Sequence, residues 1–304
     1  MTVGILRSRE GWHIDQLENA LKGRGIEVVK FSITDLLLSI GGGAKISSGG
    51  IDLTRLDAII VRIIPLGSME QLMFRINALH RLENLGVRII NRPSAIEQTV
   101  DKSYTSHLLS DAGINTPETV VCERFDDAMA AFIRMGDVVV KPLSGSCGLG
   151  IARISDKDIA YRVFRTMEQS RFVYYIQKFV DCGGRSVRIF VINGKVTGAM
   201  TRTGSGWKAN FSKQAAVAPR EPSASQAKNA LRAAKILGLD YAGVDFLVGD
   251  NGSEYVIEVN GIPGWKGLQK TTGVCIAEKI IDCVAYETIE AKQNSRSRAG
   301  GMPA

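Results

Sequence analysis

Short apolar runs alternate with amphipathic stretches through the first 95 residues, and this alternation restricts the fold more than any other feature of the chain. Residues 3–6, 26–31, 57–62 and 87–91 have strand composition. Between them, residues 13–22 carry Ile14, Leu17 and Leu21 at helical spacing, and residues 70–85 form a second helical stretch. Strands separated by helices imply a parallel sheet covered by helices, an α/β unit. Gly23 and Gly25 stop the first helix. The Gly41-Gly42-Gly43 run reads as a turn and not a phosphate cradle, because no helix start follows it.

Pro93 opens a new section in which strands and helices follow a different order, so the class shifts to α+β. A helix is expected over 101–112, ended by Gly113, then a strand over 119–122 after Pro117. A helix over 126–134, a strand over 137–141, a glycine-rich loop and a strand over 150–154 come next. The helix over 156–169 is expected to turn Ile159, Val163 and Met167 to one face, and 172–177 reads as a buried strand. Asn193-Gly194 sits between two strand-like runs, the pattern of a tight hairpin. A helix over 226–237, a second hairpin over 242–248 and 254–260, and a closing helix over 277–291 follow. The polar segment 292–304 is expected to be a disordered tail.

At 304 residues the chain is near the limit for a single core, so two or three subdomains are expected. No apolar run approaches the roughly 18 residues of a membrane span. Arg7, Arg9 and Glu10 follow the first short strand, which is no signal-peptide layout, and a cytoplasmic location is expected. Five cysteines without a Cys-x-x-Cys pair, and three histidines without His-Glu-x-x-His, argue against a disulfide framework and a zinc site. The net charge of +7 permits nucleic-acid binding, but the basic residues are scattered and no recognition motif accompanies them.

The second hairpin carries the most chemistry. With Asp250 to Ser253 as its loop, Gly249 pairs with Glu254 and Asp245 falls opposite Glu258, with Asn260 on the same face. Val244, Phe246, Val248, Ile257 and Val259 then form the core face. Two carboxylates and an amide on one side suit a hard divalent cation such as Mg²⁺. On these residues alone, a solvated face bridged by Lys or Arg carries more weight, since surface acids are common. Lys141 ends an apolar strand and precedes Gly145, Gly148 and Gly150, which can place an ammonium and free N–H groups around phosphate; taken alone that signal is weak, and a plain hairpin turn carries more weight. Lys102 at a helix start, and Arg188 and Arg202 on the first hairpin, are further cationic candidates, with ordinary surface roles as the alternative.

Taken in order, these blocks resemble the ATP-grasp superfamily and, within it, the RimK-type L-glutamate ligases. The resemblance rests on Asp101-Lys102, Val-Val-Lys141, the 144–150 loop, Gln177-Lys178-Phe179-Val180, Gly243-Val-Asp245, and Ile257-Glu258-Val-Asn260-Gly-Ile-Pro263-Gly264. Lys270-Thr-Thr-Gly273 is similar to the RimK branch. Ile60-Val-Arg62, Glu70-Gln71, Arg75 and Ile89-Ile-Asn91-Arg-Pro93 resemble ligases of methanopterin- or methanofuran-type cofactor biosynthesis.

The resemblance implies an ATP-grasp fold with a pre-ATP-grasp domain over 1–95, a lid subdomain over 96–175 and a metal-bearing subdomain over 176–291. It implies that Lys102 and Lys141 contact nucleotide phosphates, and that Ser144, Gly145, Ser146, Gly148 and Gly150 close over them. Gln177, Lys178, Phe179, Val180 and Asp181 would line the base and ribose. Asp245, Glu258 and Asn260 would hold one or two Mg²⁺, or Mn²⁺ in its place. Arg188, Arg202 and Asn210 would act on the transferring phosphoryl group and the acceptor. Two positions depart from the family pattern: Lys178 stands where Glu is frequent, and Ser186 where an acid often meets the ribose. The implied reaction is ATP-dependent amide formation through an acyl phosphate, joining L-glutamate to a carboxylate of a small cofactor precursor. A protein C-terminus or another amino acid as substrate, and a nucleotide-binding regulator without turnover, are the alternatives. Relatives of this kind are often dimers or tetramers, so a homo-oligomer is expected.

Overall fold

The computed structural model describes residues 1–41, 45–143, 145, 149–204, 206–207 and 215–285. Ser144, Ser146, Gly148, Asn210 and the 292–304 tail, all named above, lie outside the described residues, as does the closing helix beyond residue 285.

The N-terminal part is the parallel sheet that the alternation demands. It is built from β1 (Thr2–Leu6), α1 (Trp12–Lys22) and β2 (Glu27–Phe31), an antiparallel annex of β3 (Leu36–Ser39), β4 (Lys45–Ser48) and β5 (Ile51–Asp52), then β6 (Ala58–Val61), α2 (Met69–Asn84) and β7 (Arg88–Ile90). The sheet order is β2-β1-β6-β7, all parallel. Val3 and Ile5 face one core, where Ile14, Leu17 and Leu21 of α1 meet them, while Leu6 faces the other with Leu79 and Leu82 of α2. Burial on both faces is why these strands read as unbroken apolar runs. Two helices follow: α3 (Pro93–Val100), with proline in its first turn, and α4 (Lys102–Asp111), capped by the Asp101 carboxylate on the Ser103 and Tyr104 amides.

A second, antiparallel sheet in the order β10-β9-β11-β8 contains β8 (Thr119–Cys122), β9 (Val138–Lys141), β10 (Ala152–Ile154) and β11 (Tyr174–Lys178). Its helices are α5 (Phe125–Met135) and α6 (Lys157–Gln169). The buried stripe of α6 lies one residue from the expected one. Ala160 and Phe164 are its fully covered positions, flanked by Val163 and Met167, and Ile159 is exposed. Phe172, expected in the buried strand, is also exposed and precedes β11.

The third sheet is antiparallel, in the order β14-β13-β12-β15-β16. It comprises β12 (Arg185–Ile192), β13 (Lys195–Thr203), β14 (Ala216–Pro219), β15 (Tyr241–Val248) and β16 (Glu254–Asn260), with α7 (Ala224–Ile236) before β15. The Asn193-Gly194 turn has φ of 46° and 65°, as a tight hairpin requires. One sheet face packs Val187, Ile189, Val244 and Phe246 on α7. The other sends Phe190, Met200 and Tyr241 into the core of α1, together with Trp265 at the start of α8 (Lys266–Thr272) and the helical residues 276–285.

The first and third sheets are tied by buried polar bonds. Asn91, fully enclosed at the end of β7, donates to the Tyr241 and Gly261 carbonyls and accepts from the Asp240 and Tyr241 amides. Both amide atoms of its side chain are thereby satisfied, the condition for burying them.

Candidate active site

The second hairpin reaches the expected juxtaposition by a different register. Val248 pairs with Glu254, Leu247 with Tyr255 and Phe246 with Val256, one step from the pairing set by the assumed loop. A bulge then takes up one residue, and Asp245 stands opposite Glu258, with Gly243 opposite Asn260. The bulge exchanges two side chains: Val256 is the core residue, and Ile257 turns instead toward a cleft that Thr99, Lys102 and Glu258 also line.

Asp245 is 1% exposed and held by two arginines. Arg188, opposite it on β12, donates from Nε and a terminal nitrogen to the two carboxylate oxygens, each at 2.7 Å. Arg202 on β13 stands 2.8 Å from the same carboxylate. Burial alone would raise the Asp245 pKa, but the two guanidinium charges and their hydrogen bonds outweigh it and hold the group below the ordinary carboxylate range. Ser186, opposite Arg202, accepts from its Nε at 3.2 Å and is buried. Two facing carboxylates repel each other, and on the Asp245 side the arginines relieve that repulsion.

Glu258 instead faces the lysines. Lys141 is buried at the end of β9, and its ammonium donates to Gln177 Oε1 at 2.6 Å. Burial brings its pKa down to about 8, with Glu258 opposing the fall and Lys102 adding to it. Lys102 is lowered as well, mainly by burial, against the pull of Glu258 and Asp101. Its Nζ donates to the Leu143 and Gly145 carbonyls at 3.3 and 2.9 Å, which anchors the start of the glycine-rich loop to α4. Two ammonium groups that share one carboxylate make a positive site suited to phosphate.

Sequence reasoning missed the side-chain role of Gln177. Its amide nitrogen donates to Thr119 Oγ1 at 2.9 Å and Tyr175 OH at 3.2 Å, and Tyr175 OH bonds Ser106 Oγ at 2.8 Å. The signal was a single amide inside the apolar run of β11, because a buried polar group needs partners. The neighbouring hinge residues are arranged differently. The Lys178 and Phe179 amides donate to the Glu118 and Asp137 carbonyls. The Phe179 ring lies 3.5 Å under the Arg153 guanidinium and edge-on to Trp207, and the Asp181 carboxylate accepts from the Gly183 amide. Lys102 and Glu258 thus line one cleft, Lys141 meets Gln177, and Arg188 and Arg202 meet on Asp245 opposite Glu258, while Lys178 and Asp181 are exposed.

A parallel α/β domain followed by two antiparallel sheets, with Lys102 on α4 and Lys141 on the second sheet directed at acids and arginines of the third, defines an ATP-grasp enzyme. Residues 99–284 match the RimK-like ATP-grasp domain and residues 1–96 the RimK pre-ATP-grasp domain, and the chain belongs to this family of carboxylate–amine ligases. It is 33% identical to a tetrahydromethanopterin:alpha-L-glutamate ligase of Methanosarcina acetivorans, over 92% of this chain and 97% of that one. A probable alpha-L-glutamate ligase of Aliivibrio fischeri is 31% identical over 99% of this chain and all of its own length. Among solved structures, an ATP-grasp RimK domain protein of Sphaerobacter thermophilus superposes with a TM-score of 0.75 at 24% identity, covering 93% of this chain and 98% of that one. The ATP-grasp ligase PsnB, bound to a minimal precursor, Mg and ADP, gives 0.73 at 22% identity, covering 94% and 98%. Among the described residues no helix is long and apolar enough to cross a membrane.

Proposed function

We propose that this chain joins L-glutamate to a carboxylate of a small cofactor precursor, of the tetrahydromethanopterin or methanofuran kind, using Mg·ATP and an acyl phosphate. The observation that carries the reading is a facing pair of acids, Asp245 held by Arg188 and Arg202 and Glu258 set in the field of Lys102 and Lys141. The glutamyl specificity is drawn from the names of the relatives.

The donor set fits a hard cation. Asp245 and Glu258 stand opposite each other, Asn260 follows on the same strand, and all three offer oxygen. Bound there, Mg²⁺ supplies charge neutralisation to phosphate oxygens. Lys141 and Lys102 then hold the nucleotide phosphates, and the loop containing Ser144, Gly145, Ser146, Gly148 and Gly150 excludes water. Arg188, Arg202 and Asn210 stabilise charge on the transferring phosphoryl group. The base is read by carbonyl oxygens of 177–181 and by the Val180 and Asp181 amides, because the Lys178 and Phe179 amides are engaged. Carboxylate oxygen has to leave as phosphate, since oxide is a poor leaving group, and the amine then displaces phosphate without a protein nucleophile. We carry the three units 1–95, 96–175 and 176–291, a homo-oligomeric state and a cytoplasmic location as parts of this reading.

The test is ADP release from Mg·ATP and L-glutamate against a panel of pterin and furan cofactor precursors with free carboxylates. Acceptor-dependent ADP with a product heavier by one glutamyl residue supports the reading. Tight ATP binding without turnover on any acceptor removes it.

A further inference from the structure

Three buried hydrogen-bond donors meet at the switch point of the N-terminal sheet and have no acceptor among the described residues: Arg7 Nε, Arg62 Nε and Trp265 Nε1. In the order β2-β1-β6-β7, the chain turns in opposite directions on either side of the β1–β6 pair. Ligands of open parallel sheets bind beyond the carboxyl ends of such a pair. Arg7 and Arg62 are the first residues past those ends. Leu6 pairs with Val61, and the Arg62 amide donates to the Leu6 carbonyl, so the two arginines lie side by side. By strand alternation they continue the face of Val3, Ile5, Ala58 and Ile60, toward α1 and Trp265.

The surroundings concentrate positive charge. The Arg62 guanidinium lies 4.5 Å from the centre of the Trp265 ring and donates to Tyr241 OH and the Pro263 carbonyl. His13 meets the same indole edge-on, accepts from the Trp265 amide, and is kept neutral by burial and by the charges of Arg62 and Lys266. The acid recorded against this cluster is Glu10, which bonds Arg7 and is shared with Lys30. Adjacent like charges with spare donors call for an anion. Tyr241, which Arg62 touches, shares its strand face with Asp245 four residues on, about 13 Å along β15. An anion held here belongs to the same bound substrate but is not the group being activated.

We infer that Arg7, Arg62 and Trp265 form a carboxylate-binding subsite for the far acidic arm of the substrate, remote from the phosphoryl-transfer centre. The subsite rests on the ligase reading above and adds to it the region that recognises acid groups. Either the amino-acid substrate or the acceptor can supply the carboxylate.

Calorimetric titration with glutarate, a non-reacting dicarboxylate, is the direct test, on the wild-type chain and on Arg7→Gln and Arg62→Lys. The expected result is binding to the wild-type chain weakened tenfold or more in both variants, with ATP affinity and the circular dichroism spectrum unchanged. No binding to the wild-type chain, or equal binding to all three, overturns the subsite. That outcome leaves the ligase reading intact, because the latter is decided by turnover. In steady state, a tenfold rise in KM for L-glutamate in Arg7→Gln assigns the arm to the amino acid. A rise for the acceptor assigns it to the acceptor, and KM unchanged for both overturns the subsite.

Discussion

Asp245 faces Glu258 across the last hairpin because a bulge takes up one residue of β16, and the two acids serve different partners. Asp245 anchors Arg188 and Arg202, whereas Glu258 offsets the charge of Lys102 and Lys141. One sheet face thereby holds an acid already neutralised by arginine beside an acid directed at Lys102 of α4 and Lys141 of β9.

Asp245 is enclosed and Arg188 nearly so, and removing Arg188 leaves the buried carboxylate to Arg202. Arg188→Met deletes two charge-assisted hydrogen bonds and is expected to lower stability by about 1.5–3 kcal/mol. Asp245→Asn should cost less in that background than alone, with a coupling of about 1–3 kcal/mol. Urea unfolding of the four-protein cycle measures this, and simple additivity contradicts the pairing.

Lys141 loses its proton near pH 8, so the free enzyme's affinity for ATP should decline as pH rises through that value. Gln177→Leu removes the 2.6 Å acceptor of its ammonium. The decline should then begin at lower pH, with affinity at pH 7.5 reduced about tenfold. Gln177→Glu should move it to higher pH. Fluorescence titration with a nucleotide analogue from pH 6.5 to 9.5 checks both shifts, and three superimposable profiles would contradict the positioning role.

Glu258→Gln keeps the shape of the side chain and deletes its charge. Turnover should fall at least about a hundredfold, as expected when charge stabilisation at a phosphoryl-transfer site is lost. The Lys141 pKa should drop below 8, because Glu258 is the group that raises it. Stopped assays of ADP alongside circular dichroism separate this from misfolding. Wild-type turnover removes Glu258 from the site.

His13 has a pKa of about 4 in the fold against 6.5 for the free side chain. Between those values the unfolded chain binds the proton and the folded chain does not, so stability should fall as pH drops from 6.5 to 4. His13→Gln should flatten that part of the stability profile. Urea midpoints at half-unit pH intervals give the slopes, and equal slopes contradict the buried neutral histidine.

The parallel sheet was legible because strands buried on both faces must be apolar throughout, as 58–61 is. The Asn193-Gly194 turn was legible because its backbone needs two positive φ angles. The annex of β3 to β5 was not, since Leu36 and Leu38 alternate with exposed residues for only four positions. Helix α8 buries Leu268 alone within Lys266–Thr272 and leaves no periodic signal. The order of the site blocks along the chain identified the family, yet the bulge that aims Glu258 has no glycine or proline to announce it. The partners of Asp245 depend on three strands paired side by side, which strand spacing along a sequence cannot supply. Gln177 and Asn91 were visible as polar residues within or beside apolar strands, but Lys141, which Gln177 accepts from, lies 36 residues away, and Gly261, to which Asn91 donates, lies 170 away.

The central claim is that an acceptor carboxylate is activated by phosphoryl transfer in this cleft, and oxygen tracing tests it most directly. Acceptor labelled with ¹⁸O in its carboxylate is converted with Mg·ATP and L-glutamate, and the released phosphate is weighed by mass spectrometry. One labelled oxygen in each phosphate formed is the predicted result. Phosphate without label, at equal amide yield, would show that the carboxylate is not activated by phosphoryl transfer.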